Sequence, residues 1–470
     1  MADLFRKKLL ADEPRGPQLA RTLSWPHLVA MGVGAIVGTG ILTLIGVGAD
    51  RAGPAVILSF AIAGAICACA ALAYAEMATM IPASGSAYTY SYVVLGEVIA
   101  WVIGWSLILE YSLVVSAVAV GWSGYIYPLL EPFGFPRWLA EGPSLGGVVN
   151  LPAMVIIFVV AGLLTLGTRE SATLNAMLVV IKIVALAVFV AVALPYFDAA
   201  NMQPFSPHGF AKQVSPDGVE RGVMAAAAII FFAFYGFDAI STAAEEAKNP
   251  GRDLAIGIVG SMVACVAIYM LVAVTAVGAL SYTRFAASPE PLALILRGIG
   301  QPGFATFLAI SAVIALPTVI LGFLFGQSRI FFVMARDGLL PASLARVSKR
   351  GSPARITWLT AVLVAIIAGV MPIDAIAALA NAGTLAAFVA VCVCMLVMRH
   401  RAPDAARTFR APAATLVGTI GIVGCLYLFV SLPTQTQLYF FAWNAIGLLI
   451  YFGYARRGAT RQAASLRNTY

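Results

Sequence analysis

Charged residues are scarce in this chain: Asp, Glu, Lys and Arg make up 11% of its 470 residues, and hydrophobic residues make up 61%. A chain with so little charge and with repeated apolar runs of about 20 residues would aggregate in water, so the composition excludes an ordinary soluble protein. The same runs suit a lipid bilayer. We therefore predict an all-α polytopic membrane protein.

Metal-ligating and redox residues are also few. The three histidines, His27, His208 and His400, lie near the ends of apolar runs or between them, and are too scattered for a metal cluster or a proton relay. The six cysteines all lie inside apolar runs, which is typical of small core residues and not of a disulfide framework or a metal site. We expect no metal and no cofactor.

Motifs of other membrane-protein classes are missing as well. A membrane-embedded enzyme needs an Asp-rich metal motif or a nucleophile with a base, a channel needs a ring-forming selectivity motif, and direct ATP drive needs a P-loop. The sequence contains none of these motifs. The membrane-embedded enzyme is kept as the main alternative from another class.

Twelve apolar segments are candidate membrane spans. Spans 3 and 8 are longer than a perpendicular helix needs, which predicts tilt or extension beyond the membrane. The first span follows a polar, basic start without a small-residue cleavage site, so we interpret it as a retained span and not as a signal peptide. The spans cover residues 27–49, 54–81, 93–127, 149–166, 171–195, 221–246, 253–281, 303–335, 354–371, 374–398, 411–432 and 437–455.

The distribution of Lys and Arg predicts the orientation. With a cytoplasmic N-terminus, the segments on the cytoplasmic side hold 22 of the 29 basic residues, and the opposite side holds six. Basic residues concentrate in cytoplasmic loops, so both termini are expected inside. The net charge of +8 is then a topology signal and not evidence for nucleic-acid binding. The remaining basic residue, Lys182, lies within span 5.

A cluster of glycines interrupts span 1 where the chain should lie in the middle of the bilayer: residues 33–41 include Gly34, Gly38 and Gly40. Glycine destabilises a helix interior by roughly 1 kcal/mol relative to alanine, so this helix is expected to break. Irregular backbone at that depth persists where it is buried in protein or lines a cavity, because lipid cannot bond the freed amides and carbonyls. The break therefore predicts a binding site.

Span 6 contains a second interruption, with Gly236 among aromatic residues and Asp238 behind it. One glycine in a membrane helix usually reflects close packing, so this signal is weak alone. Span 6, however, opens a second group of five spans, and paired interruptions at corresponding positions indicate an inverted-repeat transporter. The predicted parts are a cytoplasmic N-terminal segment at 1–26, a first repeat at 27–195, a second repeat at 221–398, spans 11 and 12 at 411–455 and a cytoplasmic tail at 456–470.

A broken helix offers partners for both charges of a zwitterion. The half after the break presents free N–H groups and the positive end of its dipole to a carboxylate, and the half before it presents carbonyls to an ammonium group. The first break should supply amides and the Thr39 hydroxyl, and the second should supply carbonyls and aromatic walls. The expected site residues are Ile36, Gly38, Thr39 and Gly40 at the first break, and Phe232, Ala233, Tyr235 and Gly236 at the second.

Three stretches of the chain carry a family resemblance. They are Gly-Ala-Ile-Val-Gly-Thr-Gly-Ile at 34–41, Phe-Phe-Ala-Phe-Tyr-Gly-Phe-Asp-Ala-Ile-Ser-Thr-Ala-Ala-Glu-Glu-Ala-Lys-Asn-Pro at 231–250, and Gly-Gln-Ser-Arg-Ile-Phe-Phe-Val-Met-Ala-Arg-Asp-Gly-Leu-Leu-Pro at 326–341. They resemble the amino acid–polyamine–organocation (APC) superfamily, and within it most of all the bacterial cationic amino acid transporters. The resemblance covers spans 1 to 10. It implies a LeuT-like five-plus-five inverted repeat in the bacterial inner membrane, amino-acid import by alternating access, and a site between spans 1, 3, 6, 8 and 10.

Lys182 lies deep in span 5, which is predicted to begin at residue 171. A charged lysine there costs about 3 kcal/mol or more, so it should face the protein interior and have partners; its depth disfavours snorkelling to a membrane surface. It matches the lysine that replaces a sodium ion between spans 1, 5 and 8 in proton-coupled members of the superfamily. The resemblance therefore implies proton symport, with the protonated amine tied to carbonyls at the span 1 break. Sodium-coupled or exchange-type carriage of amino acids or polyamines is the alternative.

Glu110 in span 3 is the other deep charge. It could pair with a basic substrate, assist proton transfer or pair with another interior polar group. The family often carries an acid where this chain has Ser106, which removes one possible contact. Gly322 could leave room for a long side chain beside Asn381 and Thr384 of span 10, but the surrounding aromatic residues favour small or apolar substrates. Cationic and neutral L-amino acids both remain candidates.

Four more acidic residues are expected to have mainly structural roles. We expect Asp238 to bond unwound backbone or a neighbouring helix, with direct substrate contact as the alternative. Glu76, Glu245 and Glu246 lie near the cytoplasmic ends of spans 2 and 6. They could form an inner gate with Lys248 or Arg329, or solvated interfacial pairs of little energetic weight.

Overall fold

The computed structural model describes residues 6–7, 21–166, 168–345 and 353–456, so most of the expected N-terminal segment and nearly all of the tail lie outside the described residues. One small antiparallel hairpin pairs β1 (Gln213–Val214) with β2 (Glu220–Arg221). The rest of the regular structure is helical. The α-helices are α1 Trp25–Ile36, α2 Thr39–Leu42, α3 Leu44–Ala52, α4 Val56–Met80, α5 Ser86–Val94, α6 Glu97–Leu130, α7 Leu151–Leu166, α8 Thr168–Ala193, α9 Val223–Ile230, α10 Asp238–Thr242, α11 Pro250–Ala279, α12 Tyr282–Phe285, α13 Pro291–Gly298, α14 Pro302–Ala315, α15 Pro317–Arg336, α16 Ala354–Val370, α17 Ile373–Arg401, α18 Ala414–Ser431 and α19 Thr434–Ile450.

In the described part of the chain, ten helical segments are long and apolar enough to cross a membrane. Two shorter apolar helices, Leu151–Thr165 and Ala354–Val370, accompany them and correspond to predicted spans 4 and 9. The polytopic helical class is confirmed. The number of twelve spans stays a prediction, because these two helices are shorter than the others.

Span 1 breaks at the glycine cluster. α1 ends at Ile36, Val37 has an extended backbone with φ −73° and ψ 101°, and Gly38 precedes the first residue of α2, Thr39. A further irregularity at Thr43 separates α2 from α3. The chain therefore crosses this region as three consecutive helices.

Span 6 breaks at the second predicted position. α9 ends at Ile230, the chain tightens into a 3-10 turn at Phe231–Ala233, and regular helix resumes at Asp238. Gly236 has φ 121°, a backbone conformation that L side chains rarely adopt. The unwound stretch therefore requires glycine at this position.

Span 8 is divided where the sequence predicted one long helix. α14 ends at Ala315 and α15 begins at Pro317, whose missing N–H ends the preceding hydrogen-bond ladder. The two helices together form one candidate crossing. The sequence analysis also missed α5, α12 and α13, which connect spans 2 to 3 and 7 to 8 and are too short for a periodic apolar pattern to stand out.

Helices from the two predicted repeats pack against each other in matching order. α4 packs against α11, α6 against α15 and α7 against α16, which pairs spans 2 with 7, 3 with 8 and 4 with 9. The short helices on either side of the two breaks also contact one another, α2 against the turn at Phe231–Ala233 and α1 against α10. This arrangement places both interruptions in the buried centre of the bundle.

The appended helix α19 is fixed to α6 by tryptophans. The indole N–H of Trp105 donates to the Trp443 carbonyl oxygen at 2.9 Å, and the indole N–H of Trp443 donates to the Trp105 carbonyl oxygen at 3.0 Å. Their rings stack with centroids 4.7 Å apart. On the same face the Ser106 hydroxyl donates to Asn444 Oδ1 at 3.2 Å. These contacts fasten α19 to the face of α6 that carries Trp105 and Ser106.

Candidate functional site

The two helix breaks lie directly against each other. An ideal Cβ placed on Gly40 would lie 2.3 Å from the Ala233 Cα, and one placed on Gly236 would lie 2.9 Å from the Ala35 carbonyl carbon. Side chains larger than a hydrogen atom cannot occupy either position without moving backbone. Glycine at both positions therefore lets the two irregular segments form one site.

Free amides occupy the span 1 side of this site. Among the described residues, the N–H groups of Thr39, Gly40 and Ile41 have no hydrogen-bond acceptor, the Gly38 N–H faces the Tyr269 phenol oxygen, and the Leu42 N–H donates to the Gly38 carbonyl at 3.1 Å. The buried Thr39 hydroxyl also has no partner in this described part of the chain. Unpaired N–H groups at the start of a helix, together with the positive end of its dipole, suit a carboxylate.

Free carbonyls occupy the span 6 side. The carbonyl oxygens of Phe232, Ala233 and Tyr235 accept no hydrogen bond from any described donor. On the span 1 side the Ile36 carbonyl is already engaged, because the Tyr269 hydroxyl donates to it at 2.7 Å. A substrate ammonium group would share the Ile36 oxygen with this phenol, whereas the three span 6 carbonyls are open to it.

Aromatic rings surround the unwound part of span 6. Tyr235 packs edge-on against Phe232 at 5.1 Å and against Phe323 of α15 at 6.1 Å, and Phe323 packs against Tyr111 of α6 at 5.1 Å between centroids. The Tyr235 hydroxyl is buried and has no partner among the described residues. The walls are therefore mostly apolar, with one unsatisfied hydroxyl.

Glu110 lies on α6 with its side chain 1% exposed, and neither of its carboxylate oxygens has a hydrogen-bond partner among the described residues. The Thr384 hydroxyl of α17 faces this carboxylate without completing a hydrogen bond of normal geometry, so pairing with an interior polar group stays a prediction. A bare buried carboxylate is costly, so this position calls for a proton or for a cationic ligand. Ser106 faces Asn444, so an acid at that position would point at α19 and not at the breaks.

Two further predicted pocket residues lie beside these elements. An ideal Cβ on Gly322 would lie 3.5 Å from the Ala35 Cβ, which is an ordinary contact, so α15 leaves space next to the end of α1. An ideal Cβ on Gly383 would lie 3.1 Å from the Glu110 Cβ, so α17 packs closely on the part of α6 that carries this acid.

Lys182 connects α8 to the span 1 break. Its Nζ donates to the carbonyl oxygens of Gly34 and Val37, both at 2.6 Å, and its side chain is buried. The Thr318 hydroxyl of α15 lies 3.4 Å from the same Gly34 oxygen. Spans 1, 5 and 8 therefore meet at this amine, and snorkelling toward a membrane surface does not occur. The coupling role of Lys182 stays a prediction.

Asp238 holds the second break in shape. Its Oδ1 accepts from the Gly236 N–H at 3.0 Å, and its Oδ2 accepts from the Tyr111 hydroxyl at 2.6 Å. It thus bonds both unwound backbone and a neighbouring helix, as the sequence indicated. Because both carboxylate oxygens accept these hydrogen bonds, Asp238 stabilises the unwound backbone at the second break.

A buried ion pair links the end of span 6 to span 8. Arg329 Nε lies 3.2 Å from Glu246 Oε1 with both side chains almost fully buried, and the guanidinium lies 3.6 Å from the Phe325 ring centroid. Next to it Arg336 pairs with Glu245 at 2.9 Å. The Glu246–Arg329 pair is therefore not the solvated interfacial pair that was one alternative.

Glu76 has different partners from those expected. Its buried carboxylate accepts from Arg399 at 2.6 and 2.8 Å, from Arg407 at 3.2 Å and from the Ala411 N–H at 2.8 Å. The proposed pairing of Glu76 with Arg329 is wrong. The carboxylate instead fastens the end of α17 and the following loop to α4.

We expect Glu246→Gln to lower stability by about 3–5 kcal/mol, because it leaves the Arg329 charge buried without its partner. Adding Arg329→Met should recover much of this loss, because buried ion pairs can often be replaced by apolar residues. Apparent melting temperatures of the two single variants and the double variant measure the coupling. As a control, Glu141→Gln breaks an exposed pair with Arg137 and should cost at most about 1 kcal/mol. Equal losses in the Glu246→Gln variant and the double variant would contradict the expected coupling.

Sequence reasoning missed the side chains that engage backbone near the breaks. The Tyr125 hydroxyl donates to the Leu42 carbonyl at 2.6 Å, and Asn381 Nδ2 donates to carbonyls of α9. Tyr269 and Thr318 do the same for α1. The signal in the sequence is a polar residue inside an apolar span, but it does not reveal which carbonyl that residue meets.

Comparison with known proteins agrees with this architecture. A family model described as amino acid permease matches residues 23–454. The chain is 42% identical to the branched-chain amino acid permease BcaP of Bacillus subtilis (strain 168), over 97% of this chain and 98% of that protein. It is 41% identical to the methylthioribose transporter of the same strain, over 97% of this chain and 99% of that protein.

A plant relative extends the comparison. The vacuolar cationic amino acid transporter 2 of Arabidopsis thaliana is 39% identical over 83% of this chain and 62% of that protein. These matches confirm the resemblance to the APC superfamily and its cationic amino acid transporters, and they identify a multi-pass transporter and not an enzyme. Because the family model matches residues 23–454, a range that includes all nineteen α-helices of the described residues, the chain belongs to the amino acid permease family.

Proposed function

We propose that this protein imports L-amino acids by alternating access and couples their uptake to protons. The observation that carries the proposal is the junction of Lys182 with the Gly34 and Val37 carbonyls, immediately beside the unpaired amides that follow the break. A change in the charge of this amine alters its bonds to the segment that would hold the substrate. Proton binding and substrate binding would thereby share one structural element.

The unpaired backbone groups favour a zwitterion as the substrate. The amides of Gly38, Thr39 and Gly40 suit an α-carboxylate, and the carbonyls of the span 6 break suit an α-ammonium group. Because the two breaks are in backbone contact at Gly40 and Ala233, one small molecule can reach both sets of groups. A ligand that lacks either charge would leave one set unpaired.

The arrangement of the helices supports a LeuT-like five-plus-five inverted repeat. Spans 1 and 6 are both broken, spans 4 and 9 are both short, and spans 2, 3 and 4 pack against spans 7, 8 and 9. Each correspondence has an offset of five spans. Alternating access would then move one part of the bundle against the other around the breaks. The excess of basic residues in alternate loops supports cytoplasmic termini in a bacterial inner membrane.

Neutral, apolar L-amino acids are our first candidate substrates. The aromatic walls formed by Phe232, Tyr235 and Phe323 favour an apolar side chain, in keeping with the branched-chain amino acids named for the BcaP relative. Cationic amino acids are the second candidate, because the unpaired Glu110 carboxylate could receive a basic side chain. The cationic transporters among the relatives support this second class.

Ligand-induced stabilisation tests the proposed substrate class. A ligand that binds the native state raises its stability, by about 2.7 kcal/mol at a hundredfold excess over Kd. We expect leucine to raise the apparent melting temperature of the purified protein more than arginine does. The amine and the hydroxy acid that correspond to leucine should each have a smaller effect. Stabilisation by methylthioribose without any effect of amino acids would contradict the proposal.

A further inference from the structure

We propose that Asn381 is a positioning residue for the ammonium half of the binding site, and that it acts through the end of α9. Asn381 lies on α17, is fully buried, and donates from Nδ2 to the Ala228 carbonyl at 2.8 Å and to the Ile229 carbonyl at 3.3 Å. The sequence placed it in the lining of the side-chain compartment. The structure assigns its amide N–H groups to backbone of another helix.

The two carbonyls that Asn381 engages belong to the last turn of α9. The regular hydrogen-bond ladder of a helix ends in its last turn, where the Ile229 carbonyl also accepts from the Phe231 N–H, so the Asn381 amide adds a side-chain donor to this turn. α9 ends at Ile230, and the open carbonyls of Phe232, Ala233 and Tyr235 follow within five residues. The orientation of that last turn therefore determines the direction in which the open carbonyls point.

The side-chain oxygen of Asn381 accepts no hydrogen bond from the described residues. Asn381 Oδ1 is buried and has no partner among the described residues, so the contacts with α9 are its described side-chain hydrogen bonds. Two positions further along α17, Gly383 packs on Glu110 of α6. One segment of α17 thus contacts both the end of α9 and the face of α6 that carries Glu110. It therefore helps to fix the distance between these two walls of the site.

This inference rests on the proposed function, and its test separates the two. We compare the purified wild-type protein, Asn381→Ala and Asn444→Ala in binding of leucine and of the hydroxy acid that replaces its ammonium group with a hydroxyl. Asn444 is a matched control, because it is also a membrane-helix asparagine whose Nδ2 donates to a backbone carbonyl, that of Phe440, away from the breaks. The hydroxy acid is measured by competition with labelled leucine in each variant that binds leucine, and by direct thermal stabilisation in all three proteins.

In Asn381→Ala we expect the Kd for leucine to rise about tenfold or more, because the leucine ammonium group would lose about one hydrogen bond to a displaced carbonyl. The affinity for the hydroxy acid should change by less than about threefold, because its carboxylate contacts are kept. Asn444→Ala should change neither value. Asn381→Ser, whose shorter side chain withdraws the donor from the α9 carbonyls, serves as the second variant if Asn381→Ala does not fold, with the same expected direction.

Equal losses for leucine and the hydroxy acid would overturn the inference, since they would indicate general damage to the site. Unchanged leucine affinity in a folded Asn381 variant would overturn it as well. Failure of the wild-type protein to bind any amino acid would instead contradict the proposed function.

Discussion

Lys182→Ala is expected to abolish concentrative uptake, so that the internal amino-acid concentration rises no higher than the external one. The substitution removes the amine that donates to the Gly34 and Val37 carbonyls at 2.6 Å. The Gly34 oxygen keeps the Thr318 hydroxyl at 3.4 Å, whereas the Val37 oxygen loses this donor, and a buried carbonyl without a partner costs about 1–3 kcal/mol. Without the amine, no protonatable group links α8 to the break, so we expect coupling to be lost. The measurement is the accumulation ratio of labelled amino acid in proteoliposomes with an inward proton gradient.

Lys248→Ala is the matched control for this substitution. Lys248 is exposed at the end of span 6, so its removal should leave the accumulation ratio unchanged. Both variants are checked for cooperative thermal unfolding before reconstitution. Normal accumulation by a folded Lys182→Ala protein would contradict a coupling role for this lysine.

Gly40→Val is expected to abolish substrate binding. Its Cβ would lie 2.3 Å from the Ala233 Cα, so the two breaks would be forced apart and the amides of span 1 would move away from the carbonyls of span 6. Overpacking of this kind costs about 1–3 kcal/mol and can cost more against backbone, so we expect at least about a hundredfold loss of affinity. Equilibrium binding of labelled amino acid to purified protein measures it.

Gly260→Val provides the control for the same experiment. Gly260 lies on α11 outside the site, and a Cβ there would lie 4.0 Å from Val29 Cγ2, which is ordinary van der Waals contact, so affinity should change by less than about threefold. Wild-type affinity in Gly40→Val would show that the amides near this glycine do not hold the substrate.

The helix breaks could be predicted because their cause is local. Glycines in the middle of an apolar span weaken the helix whatever surrounds them, and the chain unwinds at Val37 and around Gly236 as expected. The depth of Lys182 was also visible in the sequence. Its need for partners followed from the cost of a bare charge in a membrane, and the structure supplies two carbonyls.

Contacts between distant helices could not be predicted in this way. The family often carries an acid at the position of Ser106, which suggested a substrate contact there, but α19 packs on that face of α6 and accepts a hydrogen bond from the Ser106 hydroxyl. Glu76 was a candidate for an inner gate or for a solvated pair, but its partners come from the end of α17 and the loop beyond it. The division of span 8 was missed although its cause, Pro317, is present in the sequence, because the apolar pattern continues through the proline.

The alternatives for Glu110 are narrower than the sequence left them. No ion-pair partner of Glu110 is found among the described residues, and the Thr384 hydroxyl is the neutral group that faces it. The leucine and arginine arms of the stabilisation experiment test whether Glu110 receives a basic substrate side chain. Preference for arginine would support that role, and preference for leucine would contradict it.

Uptake into proteoliposomes under imposed ion gradients tests the central claim most directly. Labelled amino acid is offered with an inward proton gradient, with an inward sodium gradient, and with neither. We predict accumulation above the external concentration with the proton gradient and in neither other condition, and its loss when a protonophore collapses that gradient. Accumulation that requires sodium and is insensitive to the protonophore would contradict proton coupling at Lys182.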